Sequence, residues 1–96
     1  MNSRFVIREP GYFCQRDEKN FFDWLLAIPG VKSAIGVTQG LAIDVAPCEI
    51  DQVGWSDLIG LFARYNVDIQ CMRHLDMGTH GDWVRGSKHY WHDLIF

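Results

Sequence analysis

The sequence predicts an α+β fold, and three observations carry that prediction. Segments in which every second residue is apolar alternate with segments of helical period, in the order β, α, β, β, α, β, before an aromatic C-terminal tail. This βαββαβ order is that of the ferredoxin-like split βαβ arrangement, in which two helices pack on one face of an antiparallel sheet. The length of 96 residues leaves room for one core, so residues 1–96 are expected to form a single domain.

The first strand and the first helix are predicted within residues 4–28. Residues 4–13 carry Phe5, Ile7, Tyr12 and Phe13 around the Pro10-Gly11 break, which ends the strand or interrupts it with a bulge. Asp17 is a suitable cap for the helix that follows. The apolar stripe of that helix consists of Phe21, Phe22, Leu25, Leu26 and Ile28, and Pro29-Gly30 stops it.

A β-hairpin is predicted next. Apolar residues alternate over residues 31–37 and again over residues 41–45, and Gln39-Gly40 supplies a two-residue turn. Pro47 lacks a backbone N–H and should end the second strand of this hairpin.

A second helix and a fourth strand are predicted to follow the hairpin. Apolar residues recur at helical spacing over Trp55–Tyr65, and Asn66 is a suitable C-terminal cap. Alternation over Val67–Met72 predicts the strand, and the polar, glycine-containing segment His74–Asp82 predicts a loop.

The last segment is dense in large apolar residues. Ser87 is a possible cap for a short helix, and the tail contains Tyr90, Trp91, Leu94, Ile95 and Phe96. Such a tail either completes the core or forms a binding patch for a partner. Packing on the core is the expectation, because a domain this small needs the buried area.

Composition and cysteine usage indicate a cytoplasmic protein without a membrane partner. The first residues are charged too early for a signal peptide, and no apolar run approaches the ~20 residues of a membrane span. Cys14, Cys48 and Cys71 are an odd set without CxxC spacing, typical of reduced thiols. The net charge of −3 argues against a direct nucleic-acid partner, because phosphate binding needs a basic surface.

No metal or cofactor site is predicted. Cys71, His74 and His80 form one group of candidate ligands, and His89 and His92 form another. A structural zinc site needs four ligands in two tight pairs, which these groups do not provide. Solvated histidines are therefore the expectation.

The cysteines are expected to pack in the core, Cys71 on the apolar side of the predicted fourth strand. One alternative stays open. A ferredoxin-like domain of this size could bind a small ligand, or perform modest chemistry, through Cys71, His74 and His80.

The charge of the chain is concentrated in its middle. Residues 41–82 carry seven carboxylates against two arginines, with Trp55 and Trp83 at the ends of this acidic segment. Carboxylates with flanking aromatics are typical of a docking surface for a basic protein, in which charge accelerates encounter and aromatics anchor the complex. Solvated carboxylates and two core tryptophans are the competing interpretation. The predicted partner-binding residues are Asp44, Glu49, Asp51, Trp55, Asp76, Asp82 and Trp83.

Two stretches resemble small bacterial immunity proteins. Asp57–Asp68 (DLIGLFARYNVD) is similar to their helix-to-strand segment, in which the helix ends in an Arg-Tyr-Asn/Gly-hydrophobic-Asp turn. Tyr90–Phe96 (YWHDLIF) resembles their closing motif, a Trp-His or Trp-Tyr pair followed by a hydrophobic-Phe ending. Together the two stretches cover about a fifth of the chain.

The resemblance implies a cytoplasmic antidote of contact-dependent growth inhibition or a related polymorphic toxin system. Such a protein binds its cognate toxin domain, often a nuclease, and blocks the active site without catalysis of its own, so no catalytic residue is carried over. We expect carboxylates of the predicted set to meet lysine or arginine of the toxin, and the indoles to fill pockets.

Overall fold

The computed structural model describes residues 2–96 and has the predicted α+β architecture. A three-stranded antiparallel sheet is built from β1 (Ser3–Ile7), β2 (Val31–Val37) and β3 (Gly40–Val45). The helices are α1 (Gln15–Ala27), α2 (Gln52–Arg64), α3 (Gly81–Val84) and α4 (His92–Ile95). Short 3₁₀ helices lie at Pro47–Glu49, Gln70–His74 and Gly78–His80.

The sheet has the strand order β1-β3-β2 and two unlike faces. Phe5 lies opposite Ile43, and both are buried against the helices. On the opposite face Val6 and Ile35 flank Ala42, and both flanking side chains are exposed. We call this second surface the open face.

The core lies between the sheet and the two long helices. Phe62 of α2 contacts Phe5 of β1 and Phe21 of α1, with ring centroids 6.1 and 6.4 Å apart. One ring therefore joins β1, α1 and α2 in a common core.

The hairpin is present, but its turn is one residue earlier than predicted. Val37 pairs with Gly40, so Thr38 and Gln39 form the turn and Gly40 begins β3. The glycine is required there, because a Cβ would collide with the carbonyl oxygen of Ile7. Close approach of two backbones, in addition to a positive φ of 146°, therefore explains this glycine.

The first helix begins before the predicted cap. Cys14 occupies the N-cap position without a side-chain hydrogen bond, whereas Asp17 lies in the first turn and accepts from the Phe13 backbone N–H at 3.0 Å. The helix ends at Ala27, and its C-cap Ile28 precedes the predicted Pro29-Gly30 stop.

The second helix starts at an aspartate. Asp51 is its N-cap, and Oδ1 of Asp51 accepts from the Gly54 backbone N–H at 2.7 Å. Beyond Tyr65, Asn66 takes a left-handed conformation with φ of 60°, which is the role predicted for it at the end of this helix.

The predicted fourth strand over Val67–Met72 is wrong. This part of the chain forms a turn and the 3₁₀ helix Gln70–His74, so the complete βαββαβ order is not present in residues 2–96. The physical reason is a period of three: Ile69, Met72 and Leu75 are all buried. Asp68 starts this turn by accepting from the Gln70 backbone N–H at 3.0 Å.

The C-terminal third contains more helical structure than predicted. The predicted loop over residues 74–82 includes the turn Gly78–His80 and the start of α3. The tail packs on the core as expected through Trp91 and Ile95, whereas Tyr90 and Leu94 are exposed. Its helix begins at His92 rather than at Ser87.

None of the helices formed within residues 2–96 is long and apolar enough to cross a membrane.

Candidate functional site

Asp44 lies on the open face and is held by two neighbours. Arg4 donates to both carboxylate oxygens, from Nε to Oδ1 at 2.8 Å and from Nη2 to Oδ2 at 3.0 Å. Ser33 Oγ donates to Oδ2 at 2.8 Å. These hydrogen bonds, the Arg4 bond first, lower the pKa of Asp44, so the carboxylate is ionised and already engaged at neutral pH.

Glu49 and Asp51 lie on the segment that leads into α2. Lys32 of β2 forms a salt bridge of 2.6 Å with Glu49, which fixes the 3₁₀ helix to the sheet. One oxygen of Asp51 accepts a hydrogen bond from the Gly54 N–H, and the side chain is otherwise exposed. Both carboxylates therefore support the local fold and still face solvent.

Asp76 and Asp82 reach the same region from the C-terminal third. Asp76 accepts from the Gly78 backbone N–H at 2.9 Å. Gly78 has φ of 66°, and a Cβ there would lie 3.0 Å from the carbonyl oxygen of Pro47. The turn Gly78–His80 therefore packs against Pro47–Glu49, and α3, which carries Asp82 in its first turn, continues directly from it.

These five carboxylates define one region, which we call the acidic end: Asp44, Glu49, Asp51, Asp76 and Asp82. Arg4 and Lys32 pair with two of them, and Arg85 lies beside Gly81, where it donates to the Leu75 carbonyl oxygen at 3.2 Å. Asp82 is exposed and forms no ion pair within residues 2–96. The acidic end thus keeps a net negative charge.

The two predicted tryptophan anchors have different fates. Trp55 is 0% exposed and belongs to the central core, so its predicted role as a surface anchor is wrong. Trp83 is half-buried and packs against His89 and Trp91, with ring centroids 4.7 and 5.7 Å away. Only Trp83 of this pair presents any surface to a partner.

A cleft of about 600 Å³ adjoins the acidic end. It is lined by Ser3–Val6 of β1 and by Cys71, His74, Leu75 and Asp76, whereas His80 is not among its lining residues. The cleft therefore brings together two of the three residues of the alternative site. Partial desolvation of the thiol where Cys71 lines the cleft, and secondarily the charge of Asp68, raise the pKa of Cys71, which disfavours the reactive thiolate.

The cysteines and histidines depart from the expectations drawn for them. Cys14, Cys48 and Cys71 are all exposed, so the predicted core packing of the thiols is wrong. His89 is half-buried and stacks on Trp91 at 4.2 Å, rather than being solvated. Within residues 2–96, no three histidine, cysteine or acidic side chains are grouped so that they could hold a metal ion.

The end of the molecule remote from the acidic end carries a surface feature that sequence reasoning missed. Phe13 is 99% exposed. The neighbouring Tyr12 nevertheless packs on Phe21, and the backbone N–H of Phe13 donates a hydrogen bond to Asp17. Tyr65 Oη donates to Asp17 Oδ1 at 2.8 Å, which ties this loop to the end of α2. No period in the sequence marks Phe13, because its exposure depends on the fold around it.

The acidic end and the Phe13 loop lie at opposite ends of the helix pair. Asp17 at the start of α1 meets Tyr65 at the end of α2, whereas Ile28 after α1 lies beside Gly54 at the start of α2. A helix of 13 residues spans about 20 Å, so the two regions are separate surfaces.

Comparison with protein-family models, with curated proteins and with solved structures found no match for this chain.

Proposed function

We propose that this protein is a cytoplasmic immunity protein that binds a cognate toxin domain and occludes its active site, without catalysis of its own. The observation that carries the proposal is that carboxylates from β3, from the segment leading into α2 and from the C-terminal third are grouped at the acidic end. The similarity of Asp57–Asp68 and Tyr90–Phe96 to segments of immunity proteins adds to it.

The carboxylates divide into two groups by their availability. Asp51 and Asp76 each use one oxygen for a backbone N–H, and Asp82 makes no ion pair within residues 2–96. These three are the first contacts for lysine or arginine of a basic toxin cleft. Asp44 and Glu49 are already paired with Arg4 and Lys32, so a toxin cation gains less from contacting them.

A nuclease is the toxin class that fits this arrangement. The active sites of nucleases bind phosphates with cationic groups, and grouped carboxylates can take the place of those phosphates. Complementary charge accelerates encounter, while the central contacts, Trp83 among them, set the lifetime of the complex.

The proposal is tested with isosteric variants that remove charge but keep the backbone hydrogen bonds. Asp51→Asn, Asp76→Asn and Asp82→Asn are combined in one chain, because asparagine still accepts from the Gly54 and Gly78 N–H groups. We expect affinity for the toxin domain encoded directly upstream to fall about 100-fold, equivalent to about 2.7 kcal/mol, because three charge pairs are lost and a solvent-exposed pair contributes up to about 1 kcal/mol.

The matched control removes three carboxylates from the remote end. Glu9→Gln, Glu18→Gln and Asp68→Asn change the net charge equally, and Asp68→Asn also keeps the hydrogen bond to the Gln70 N–H. We expect this variant to bind within about threefold of the wild type at physiological salt, because distant charges are screened. If both variants lost toxin affinity equally, the loss would follow from the change in net charge alone. The acidic end would then not be the binding surface.

The cleft beside β1 favours a second candidate, in which Cys71 and His74 bind a small ligand or perform modest chemistry. The raised pKa of Cys71 argues against it. Because the thiols are exposed, thiol accessibility does not discriminate between the two functions. The discriminating test is Cys71→Ser with His74→Ala: the immunity proposal expects toxin binding to be unchanged.

We also propose that the sheet derives from the ferredoxin-like order. The strand order β1-β3-β2 with two helices on one face corresponds to its first five elements. The segment Gln70–His74 contacts β1, where a fourth strand would pair.

A further inference from the structure

The outer edge of β2 is open. The strand order β1-β3-β2 leaves β2 at the margin of the sheet, and within residues 2–96 the backbone of Ser33–Val37 bonds only to β3. The outer edge of β1 differs, because the segment Gln70–His74 packs beside it. Within residues 2–96 no segment other than β3 forms backbone hydrogen bonds with β1 or with Ser33–Val37, but only the β2 edge also lacks a neighbouring segment packed beside it.

This edge lacks the features that usually prevent strands from pairing. Lys32 and the irregular register between Val31 and Ser33 protect only its first residues, and Lys32 is engaged with Glu49. From Ser33 to Val37 the sequence SAIGV contains no charge and no proline. Edge strands of monomers commonly carry charged residues or proline, which block the addition of another strand.

Apolar side chains accompany the open edge. Ile35 is 52% exposed on the open face, and Val37 is also exposed on the same side of the strand. Ile35, Ala42 and Val6 form one row across the three strands. A strand added beside β2 would extend this row and cover the flank of Ile35.

We propose that β2 pairs antiparallel with β2 of a second copy of this chain, around a twofold axis at Ile35. Ser33 of one copy then faces Val37 of the other, Ile35 faces Ile35, and two sheets become one of six strands. The pairing is self-complementary because the segment is uncharged, so no like charges meet across the axis.

Charge also decides between this occupant and the toxin. A neutral edge offers no complement to a basic partner, whereas the acidic end does. Antiparallel pairing directs the two acidic ends away from each other, because β2 begins next to Glu49 and runs away from it. Each copy would keep its toxin-binding surface free.

The affinity should be weak. A five-residue edge with one exposed isoleucine per copy buries far less than the ~1,200 Å² of a stable interface, which places the dissociation constant in the upper micromolar range. Sedimentation velocity at chain concentrations from well below to well above that range measures the dimer fraction, and amide exchange at the same concentrations locates the contact. We expect a concentration-dependent dimer and slower exchange within Ser33–Val37.

Ile35→Lys is the test variant, since it places like charges on the axis, and we expect it to be monomeric throughout. Leu26→Lys on α1 is the matched control, because Leu26 is 51% exposed, and it should dimerise like the wild type. A wild type that stays monomeric at all concentrations, or equal dimerisation of both variants, overturns the proposal. Loss of toxin binding by Ile35→Lys alongside a monomeric wild type would assign the edge to the toxin instead.

Discussion

Arg4 donates two hydrogen bonds to Asp44, one to each carboxylate oxygen, across neighbouring strands of the open face. Such a forked pair has a fixed geometry that a lysine could not reproduce. It joins β1 to β3 next to the acidic end, so its loss should affect both stability and the shape of the candidate surface.

The Arg4–Asp44 pair predicts a specific pH dependence. Because the folded state lowers the pKa of Asp44, its stabilising effect is present above the ordinary carboxyl pKa and is lost as pH falls through the lowered value. Asp44→Asn should therefore lower Tm at about pH 7, and the difference from the wild type should narrow below about pH 4. Thermal denaturation across this range measures it; a difference that is constant with pH would contradict the assigned cause.

Trp55 predicts a contrast between two substitutions. Its indole Nε1 is buried and has no hydrogen-bond partner within residues 2–96. Trp55→Phe removes that unsatisfied group and keeps much of the ring volume, so we expect a loss below about 2 kcal/mol. Trp55→Ala should cost about 3–5 kcal/mol. Urea denaturation separates the two, and an alanine variant as stable as the wild type would contradict the core position.

The tail should be essential for folding. Trp91 is buried, and its Nε1 donates to the Val84 carbonyl oxygen at 2.8 Å. Deletion of Tyr90–Phe96 should therefore abolish the cooperative melting transition. Tyr90→Ala is the control, because Tyr90 is 62% exposed, and its Tm should change little. If the truncated chain melts normally yet fails to bind toxin, the tail belongs to the toxin interface rather than to the core.

Cys71 should react slowly for an exposed thiol. In a chain whose other cysteines are serine, the midpoint of its alkylation rate with pH should lie above that of an unstructured cysteine, because burial raises its pKa. Asp68→Asn should lower the midpoint in part, since the charge of Asp68 is the second cause. A midpoint below that of the free amino acid would favour the second candidate function.

The sequence was sufficient for the elements whose patterns are local. The stripe of α1 ends shortly before a proline, and the hairpin is marked by two short apolar-rich runs around a glycine-containing turn, so both were predictable. The fourth strand was not, because Ile69 fits a period of two and a period of three equally well. The burial of Met72 and Leu75 favours the 3₁₀ helix over the strand, and that burial depends on tertiary contacts.

The candidate site was predictable in composition but not in geometry. The turn that follows Asp76 lies next to the segment that carries Glu49 because Gly78 packs against Pro47, a contact that no spacing in the sequence indicates. The buried position of Trp55, by contrast, was available from its place in the stripe with Leu58, Ile59 and Phe62. The aromatic residue left fully exposed, Phe13, had no such signal.

The central claim is that this chain binds a toxin, and the affinity of the pair tests it most directly. Isothermal titration of the purified chain into the C-terminal domain encoded directly upstream, inactivated by a substitution in its own active site, gives Kd and stoichiometry. The account predicts one chain per toxin domain and a nanomolar or tighter Kd, equivalent to about −12 kcal/mol. Binding no tighter than micromolar, or no such domain upstream, would contradict it.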